Sequence, residues 1–254
     1  MDMPKNAFKA AIGAGRRQIG IWTSIAEPGS VEMLAGCGYE WMLIDTEHTT
    51  TSIATAQQML QAVAPYPVSP VVRPGWNDPV EIKRLLDAGA QSLLIPYVQN
   101  AEEARAAVAA VRYPPQGFRG MAGMTRASRW GAVDGYLAKA ADEICLLVQV
   151  ETAEALSHIE EIAAVEGVDG IFIGPADLSA SMGYPGDQKH PEVKRTILEA
   201  TARIRKAGLP PGILSTDQEF LREAETAGAQ FIAIGIDTEM LRGNAVARRK
   251  LWAD

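Results

Sequence analysis

Two apolar runs in the middle of the chain each end in a carboxylate. C-L-L-V-Q-V-E over 145–151 ends in Glu151, and V-D-G-I-F-I-G-P-A-D over 168–177 ends in Asp177. Either acid alone reads more simply as a helix cap or as half of an ion pair. Two of them on neighbouring strands would deliver oxygen ligands to one rim. Hard divalent cations such as Mg²⁺, Mn²⁺ or Co²⁺ take such ligands, with water and substrate filling the remaining positions. Gln149 stands one pleat before Glu151 and so shares its strand face. Together the three favour a metal site over two unrelated caps.

A second group follows another apolar run. W-M-L-I-D-T-E-H over 41–48 ends in polar residues, with His48 outside the apolar stretch rather than within it. An imidazole there suits a general base at neutral pH, and Asp45 is near enough in sequence to orient it and raise its basicity. Arg73 ends V-V-R-P. A guanidinium at the end of a buried strand needs an anion, either an internal partner such as Asp45 or Glu47, or a substrate carboxylate or oxyanion. His158 and His190 fall in or beside helical segments and read as surface residues. No lysine stands at the end of a strand-like run, so an imine mechanism has no nucleophile and a metal must serve as the electron sink. In Gly174-Pro175-Ala176-Asp177, the N–H groups of Ala176 and Asp177 open a helical turn that suits a carboxylate. A held cation, a histidine base and an arginine facing an oxyanion make a kit for forming and quenching an enolate.

These residues need a scaffold that gathers strand ends on one rim. Strand-like runs at 19–24, 41–48, 69–74, 92–98, 145–151, 170–174, 211–215 and 231–235 alternate with helical segments at 28–38, 51–64, 78–89 and 101–112, among others. Asp78 caps the third of these helices, with Pro79 in its first position. This alternation predicts a parallel sheet with helical crossovers, and eight units predict closure into a (β/α)8 barrel, one domain over 1–254. The long interruption at 113–143 is expected to be a functional or interface loop, with Arg112, Arg119, Arg126 and Arg129 clustered in it. The C-terminal segment reads as a sparsely apolar eighth helix that packs on this barrel or on a partner's.

Composition narrows the classes. The 254 residues, 47% of them hydrophobic, suit one large domain that buries roughly 70–75% of its unfolded surface. A net charge of -7 with scattered basic residues excludes a nucleic-acid patch. Cys37 and Cys145 sit in apolar contexts and read as small core residues. There is no apolar run of membrane-spanning length and no secretory h-region, so a soluble cytoplasmic protein is expected.

The segments L-I-D-T-E-H, V-V-R-P-G-W-N-D-P, R-Y-P-P-Q-G-F-R-G, R-A-S-R-W, L-V-Q-V-E-T, V-D-G-I-F-I-G-P-A-D-L-S and P-G-I-L resemble the HpcH/HpaI aldolases over nearly the whole chain. The resemblance implies a class II pyruvate aldolase. Such an enzyme cleaves a 4-hydroxy-2-oxo acid, as in 4-hydroxy-2-oxoheptanedioate, to pyruvate and an aldehyde such as succinate semialdehyde, within aromatic compound catabolism. Paralogues act on 2-dehydro-3-deoxyglucarate or 2-keto-3-deoxy-rhamnonate, and a CoA-thioester lyase or a non-catalytic barrel remain the more distant alternatives. The resemblance puts the metal on Glu151 and Asp177, the base on His48 with Asp45 as its dyad partner, and the oxyanion-stabilising arginine on Arg73. It puts substrate contacts on Gln149, Ala176 and Asp177, with Gly174, Pro175 and Leu214 in the same motifs. Asp87 matches a family aspartate that would serve a neighbouring subunit's site, within a hexamer whose members exchange the last helix. The loop at 121–125 looks one residue shorter than in relatives and is expected beside the substrate mouth.

Overall fold

The computed structural model describes residues 1–253. Eight strands close a parallel barrel in sequence order: β1 (Gln18–Thr23), β2 (Trp41–Asp45), β3 (Ser69–Arg73), β4 (Ser92–Ile95), β5 (Cys145–Val150), β6 (Gly170–Ile173), β7 (Pro211–Leu214) and β8 (Phe231–Ile236). The helices are α1 (Ala7–Gly13), α2 (Pro28–Ala35), α3 (Ile53–Ala62), α4 (Pro79–Asp87), α5 (Ala101–Val111), α6 (Tyr136–Glu143), α7 (Ala153–Ser157), α8 (Ile159–Ala163), α9 (Pro175–Ser181), α10 (Pro191–Lys206), α11 (Gln218–Ala227) and α12 (Asp237–Lys250). Asp78 caps α4 as expected, accepting from the N–H groups of Val80 and Glu81. Among the described residues no helix is long and apolar enough to cross a membrane.

Strand alternation sorts each run into two cores. Met42, Ile44 and Val72 pack between sheet and helices. Trp41, Leu43, Val71, Leu147 and Phe172 fill the barrel interior. The same parity carries Asp45, Arg73, Gln149 and Glu151 inward at the C-terminal ends. At the opposite end α1, not foreseen in the sequence, plugs the barrel. Its Phe8 ring lies 5.7 Å from Trp41 and 5.8 Å from Phe231, the first residues of β2 and β8. Burying that ring contributes about 1.5–3 kcal/mol. Two glycines make room for the plug. A Cβ on Gly20 would stand 2.3 Å from the Trp41 ring, and one on Gly212 would stand 2.1 Å from the Phe231 ring.

Four expectations are corrected. The interruption at 113–143 contains a helix, α6. Its arginines do not form one cluster: Arg119 is buried against Asp87, whereas Arg126, near Arg129, donates to the carbonyls of Leu60 and Ala88 at the C-terminal ends of α3 and α4. Those helix ends are where a cation is favoured, which accounts for Arg126 without an anionic ligand. The loop around 121–125 touches α4 and the end of α5 through Gly120 beside Lys83, Phe118 N–H to Ala109 and Ala127 N–H to Asp87. It therefore lies toward the face opposite its own barrel's mouth. Cys145 is buried, but Cys37 is exposed at the end of α2.

Candidate active site

The inward face at the C-terminal rim is built around Arg73. Its Nε donates to Asp45 Oδ1 at 3.0 Å and one terminal nitrogen donates to Asp45 Oδ2 at 2.8 Å. The other terminal nitrogen lies 2.8 Å from Glu47 Oε2, off the hydrogen-bonding direction, in a charge contact. The guanidinium also stacks 4.6 Å over the Trp22 ring, whose Nε1 donates to Asp45 Oδ2 at 3.3 Å. Burial pushes the Asp45 carboxyl up, and the bonds and charge of Arg73 more than reverse this, so it sits below the usual carboxylate range. In this structure the Asp45 carboxylate is taken up by Arg73, Trp22 and the Glu47 N–H. Asp45 ends β2 and Glu47 follows in the bend beyond it, and both carboxylates meet Arg73. The His48 side chain is 65% exposed, and its Nε2 stands 3.7 Å from Glu47 Oε1.

Immediately after β5, Glu151 is 2% exposed. Its Oε1 accepts from the backbone N–H of Tyr97 at 2.8 Å and its Oε2 from the Gln149 side-chain amide at 2.6 Å. Gly174 presses against it: a Cβ there would lie 2.5 Å from Glu151 Oε2. Burial pushes Glu151 up to about 7 despite those two bonds, with the charges of Asp177 and Glu47 adding to the rise. Burial likewise lifts Glu47 to about 7, against Arg73 and with help from Asp45 and Asp177. Glu47, Glu151 and Asp177 are thus close enough to repel one another around one mouth.

That donor set fits a divalent cation. The carboxylates carry excess negative charge that a cation would relieve, and the buried Gln149 Oε1 beside Glu151 has no partner. Among the described residues no three His, Cys, Asp or Glu side chains converge tightly enough to hold an ion alone. A cation held by Glu151 and Asp177 would therefore take further ligands from water and substrate, as Mg²⁺ commonly does.

Asp177 and Ala176 are exposed in the first turn of α9, after Gly174 and Pro175, and no side chain caps that helix. Leu214 ends β7 and is partly buried against the interior core. Of the lysines, Lys194 reaches Asp217 beyond β7 at 2.8 Å and lies over the Phe220 ring. His190 caps α10, and His158 sits between α7 and α8 with Nδ1 3.1 Å from the Gln99 carbonyl. Asp87 lies at the far end of α4, where Arg119 donates to it at 2.8 Å.

The HpcH/HpaI aldolase/citrate lyase family profile matches residues 18–243, all eight strands included. The chain belongs to this family. A hydroxypyruvate/pyruvate aldolase of Sagittula stellata is 63% identical over 253 residues, covering 100% of both chains. A 4-hydroxy-2-oxo-heptane-1,7-dioate aldolase of Shigella sonnei is 54% identical over 244 residues, 96% of this chain and 93% of that one. The crystal structure of an HpcH/HpaI family protein from Burkholderia cenocepacia superposes with a TM-score of 0.93 at 35% identity, over 98% of this chain and 100% of that one. Its named aldolase relatives are carbon–carbon lyases, and this family member is an enzyme of that class.

Two residues of this family member's mouth, Trp22 and Tyr97, were missed from sequence. Trp22 is the penultimate residue of β1, on the inward parity, and that parity was the available signal. Glu47 was foreseen as a partner of Arg73 and meets it at 2.8 Å. Tyr97 acts through its backbone N–H, which no residue pattern marks.

Proposed function

We propose that this enzyme is a divalent-metal-dependent pyruvate aldolase. It reversibly cleaves 4-hydroxy-2-oxoheptanedioate, or a related 4-hydroxy-2-oxo acid, to pyruvate and succinate semialdehyde or another aldehyde, acting on small molecules in the cytoplasm. The observation that carries this reading is the buried Glu151 at the rim, with the unpartnered Gln149 Oε1 beside it, Asp177 and Glu47 near enough to act on its charge, and Arg73 in contact with Glu47. Glu151 and Asp177 would hold Mg²⁺, Mn²⁺ or Co²⁺. When bound, the ion supplies Lewis-acid polarisation of the 2-oxo acid.

The chain's own groups do the rest. His48 takes the C4 hydroxyl proton through water, C4 becomes the aldehyde carbonyl, and the C3–C4 bond breaks with its electron pair passing toward the C2 oxygen. Arg73 has five N–H donors. Two bond Asp45 and one faces Glu47, which leaves two for the oxyanion. Asp45 fixes the plane of Arg73. Gln149, with Gly174, Pro175, Ala176 and Asp177 at the start of α9 and Leu214 on β7, borders the 2-oxo acid. His48 then returns its proton through water to C3, giving pyruvate and restoring the base.

Asp87 is proposed to act in a neighbouring subunit's site, within a homo-oligomer of hexameric, trimer-of-dimers form that exchanges α12. The exposed Leu241, Val246, Leu251 and Trp252 of the C-terminal segment support an exchanged helix. Hydroxypyruvate as donor is a second reading, favoured by the full-length 63% relative. The test is release of pyruvate or hydroxypyruvate from a panel of 4-hydroxy-2-oxo acids, with and without chelator. Cleavage that stops in chelator and returns with Mg²⁺, Mn²⁺ or Co²⁺ is expected. Full activity in excess chelator, or a borohydride-trapped imine, would overturn the reading.

A further inference from the structure

Tyr97 is a large aromatic residue at φ 56, the left-handed region that few non-glycine residues occupy. It follows β4 and Pro96 at the rim. That backbone turn points two successive amides at β5: Tyr97 N–H donates to Glu151 Oε1 at 2.8 Å, and Val98 N–H donates to the Gln149 carbonyl at 3.0 Å. Gln99 fastens the same turn, donating to the Tyr97 carbonyl at 3.3 Å and accepting from Thr152 Oγ1 at 2.5 Å. The Tyr97 ring is not buried in the core. It is 40% exposed and stacks on Trp76, itself 54% exposed, with centroids 5.4 Å apart and planes at 28°. Trp76 stands just beyond β3, three residues after Arg73. An offset stack of this kind is attractive beyond the area it covers, and here it offsets the unfavourable turn.

We propose that Tyr97 is a positioning residue for Glu151, held in its left-handed turn by Trp76, and that the pair thereby sets how tightly the mouth binds a divalent cation. This rests on the reading of Glu151 as a ligand. Both Glu151 oxygens are aimed by a donor, one from Gln149 and one from Tyr97, and Gly174 closes the side. If the turn relaxes, the amide leaves Oε1 and one aim is lost.

The test is calorimetric titration of the full chain with Mn²⁺ alone, for wild type, Tyr97→Ala, Trp76→Ala, Tyr97→Gly and Glu151→Gln. Tyr97→Ala keeps the unfavourable turn without the stack, and Mn²⁺ binding should weaken roughly 10–100-fold, the usual effect of removing support from a ligand. Trp76→Ala should weaken it in the same direction. Tyr97→Gly keeps the amide and adopts the turn freely, so its affinity should stay close to wild type. In the cleavage assay the apparent Mn²⁺ constant should rise with the dissociation constant, while kcat at saturating Mn²⁺ falls far less. Wild-type affinity in both alanine variants overturns the inference, as does a glycine variant as weak as Tyr97→Ala. Wild-type affinity in Glu151→Gln overturns the ligand reading beneath it, and the two failures are read from different variants.

Discussion

Arg73 meets Asp45 side-on, Nε to Oδ1 at 3.0 Å and a terminal nitrogen to Oδ2 at 2.8 Å, with both side chains buried. A paired fork fixes the guanidinium plane as well as its position. Trp22 beneath it and Glu47 beside it complete the seat. The free N–H edges of Arg73 are thereby aimed by residues of β1 and β2, and the negative charge that balances Arg73 is already in place before any substrate arrives.

Replacing Asp45 by Asn should break this seat. Removing one member of a buried pair costs about 3–5 kcal/mol, and the lower end is expected because Glu47 still faces Arg73. Urea unfolding at neutral pH measures it. The folded-state carboxyl is held below the ordinary value of 3.8, so its contribution is present above that value and lost as pH falls through the depressed one. The gap between wild type and Asp45→Asn should be full above about pH 5 and close in more acid solution. A gap that stays constant down to the lowest pH at which both proteins fold would show that the charge is not responsible.

Arg73→Lys keeps a positive charge but loses the planar fork. Turnover should drop about 10²–10³-fold, the usual effect of losing one oxyanion donor. Mn²⁺ binding measured alongside should persist, because Arg73 is no ligand.

His48→Ala should lower kcat about 10²–10⁴-fold, the worth of a general base. Its Mn²⁺ affinity should be unchanged. A variant that loses the ion would move His48 from base to ligand and recast the mouth.

The strands were legible because each is a short apolar run between turns, and parity alone then put Asp45, Arg73, Gln149 and Glu151 inside. β2 ends at Asp45, and Glu47 and His48 follow in a bend, where strand parity no longer tells which side chain meets which. The helices α1 and α6 are short, and α1 earns its place by plugging the barrel with Phe8, a tertiary role invisible locally. The arginines of the long loop are adjacent in sequence but separated by the path of the chain, one buried at Asp87 and another at two helix ends. Tyr97 could not be found at all, since its contribution is a backbone amide.

Gly20→Ala and Gly212→Ala should each destabilise the barrel, because their Cβ atoms would enter the rings of Trp41 and Phe231. Overpacking of this kind costs about 1–3 kcal/mol. The clash lies at the α1 end, so thermal midpoints should fall while KM at a permissive temperature holds. Unchanged midpoints would mean that the rings can move aside.

Asp87 tests the subunit arrangement. It ends α4, which runs back from the rim, and the eight steps from Pro79 to Asp87 at about 1.5 Å each carry it roughly 12 Å away from its own mouth. An acid that tunes a histidine must stand within about 4–6 Å. Asp87 therefore cannot serve its own His48, and any catalytic role must be exercised in a neighbour. Arg119 holds it in place, fully buried, stacked 4.5 Å over Tyr113 and donating to Asp87 at 2.8 Å, with Nε and the other terminal nitrogen unpartnered. Local pairing alone would explain that contact, and then Asp87→Asn would cost stability and leave turnover intact. The shared-site arrangement instead predicts an inactive Asp87→Asn protein and an inactive His48→Ala protein that restore each other. When the two are mixed under conditions in which subunits exchange, some sites combine a native His48 with a native Asp87 from the next subunit, and aldol cleavage should return to a fraction of wild type. Exchange is followed separately with differently tagged subunits. Demonstrated exchange with activity no higher than in the two parents would eliminate the shared site.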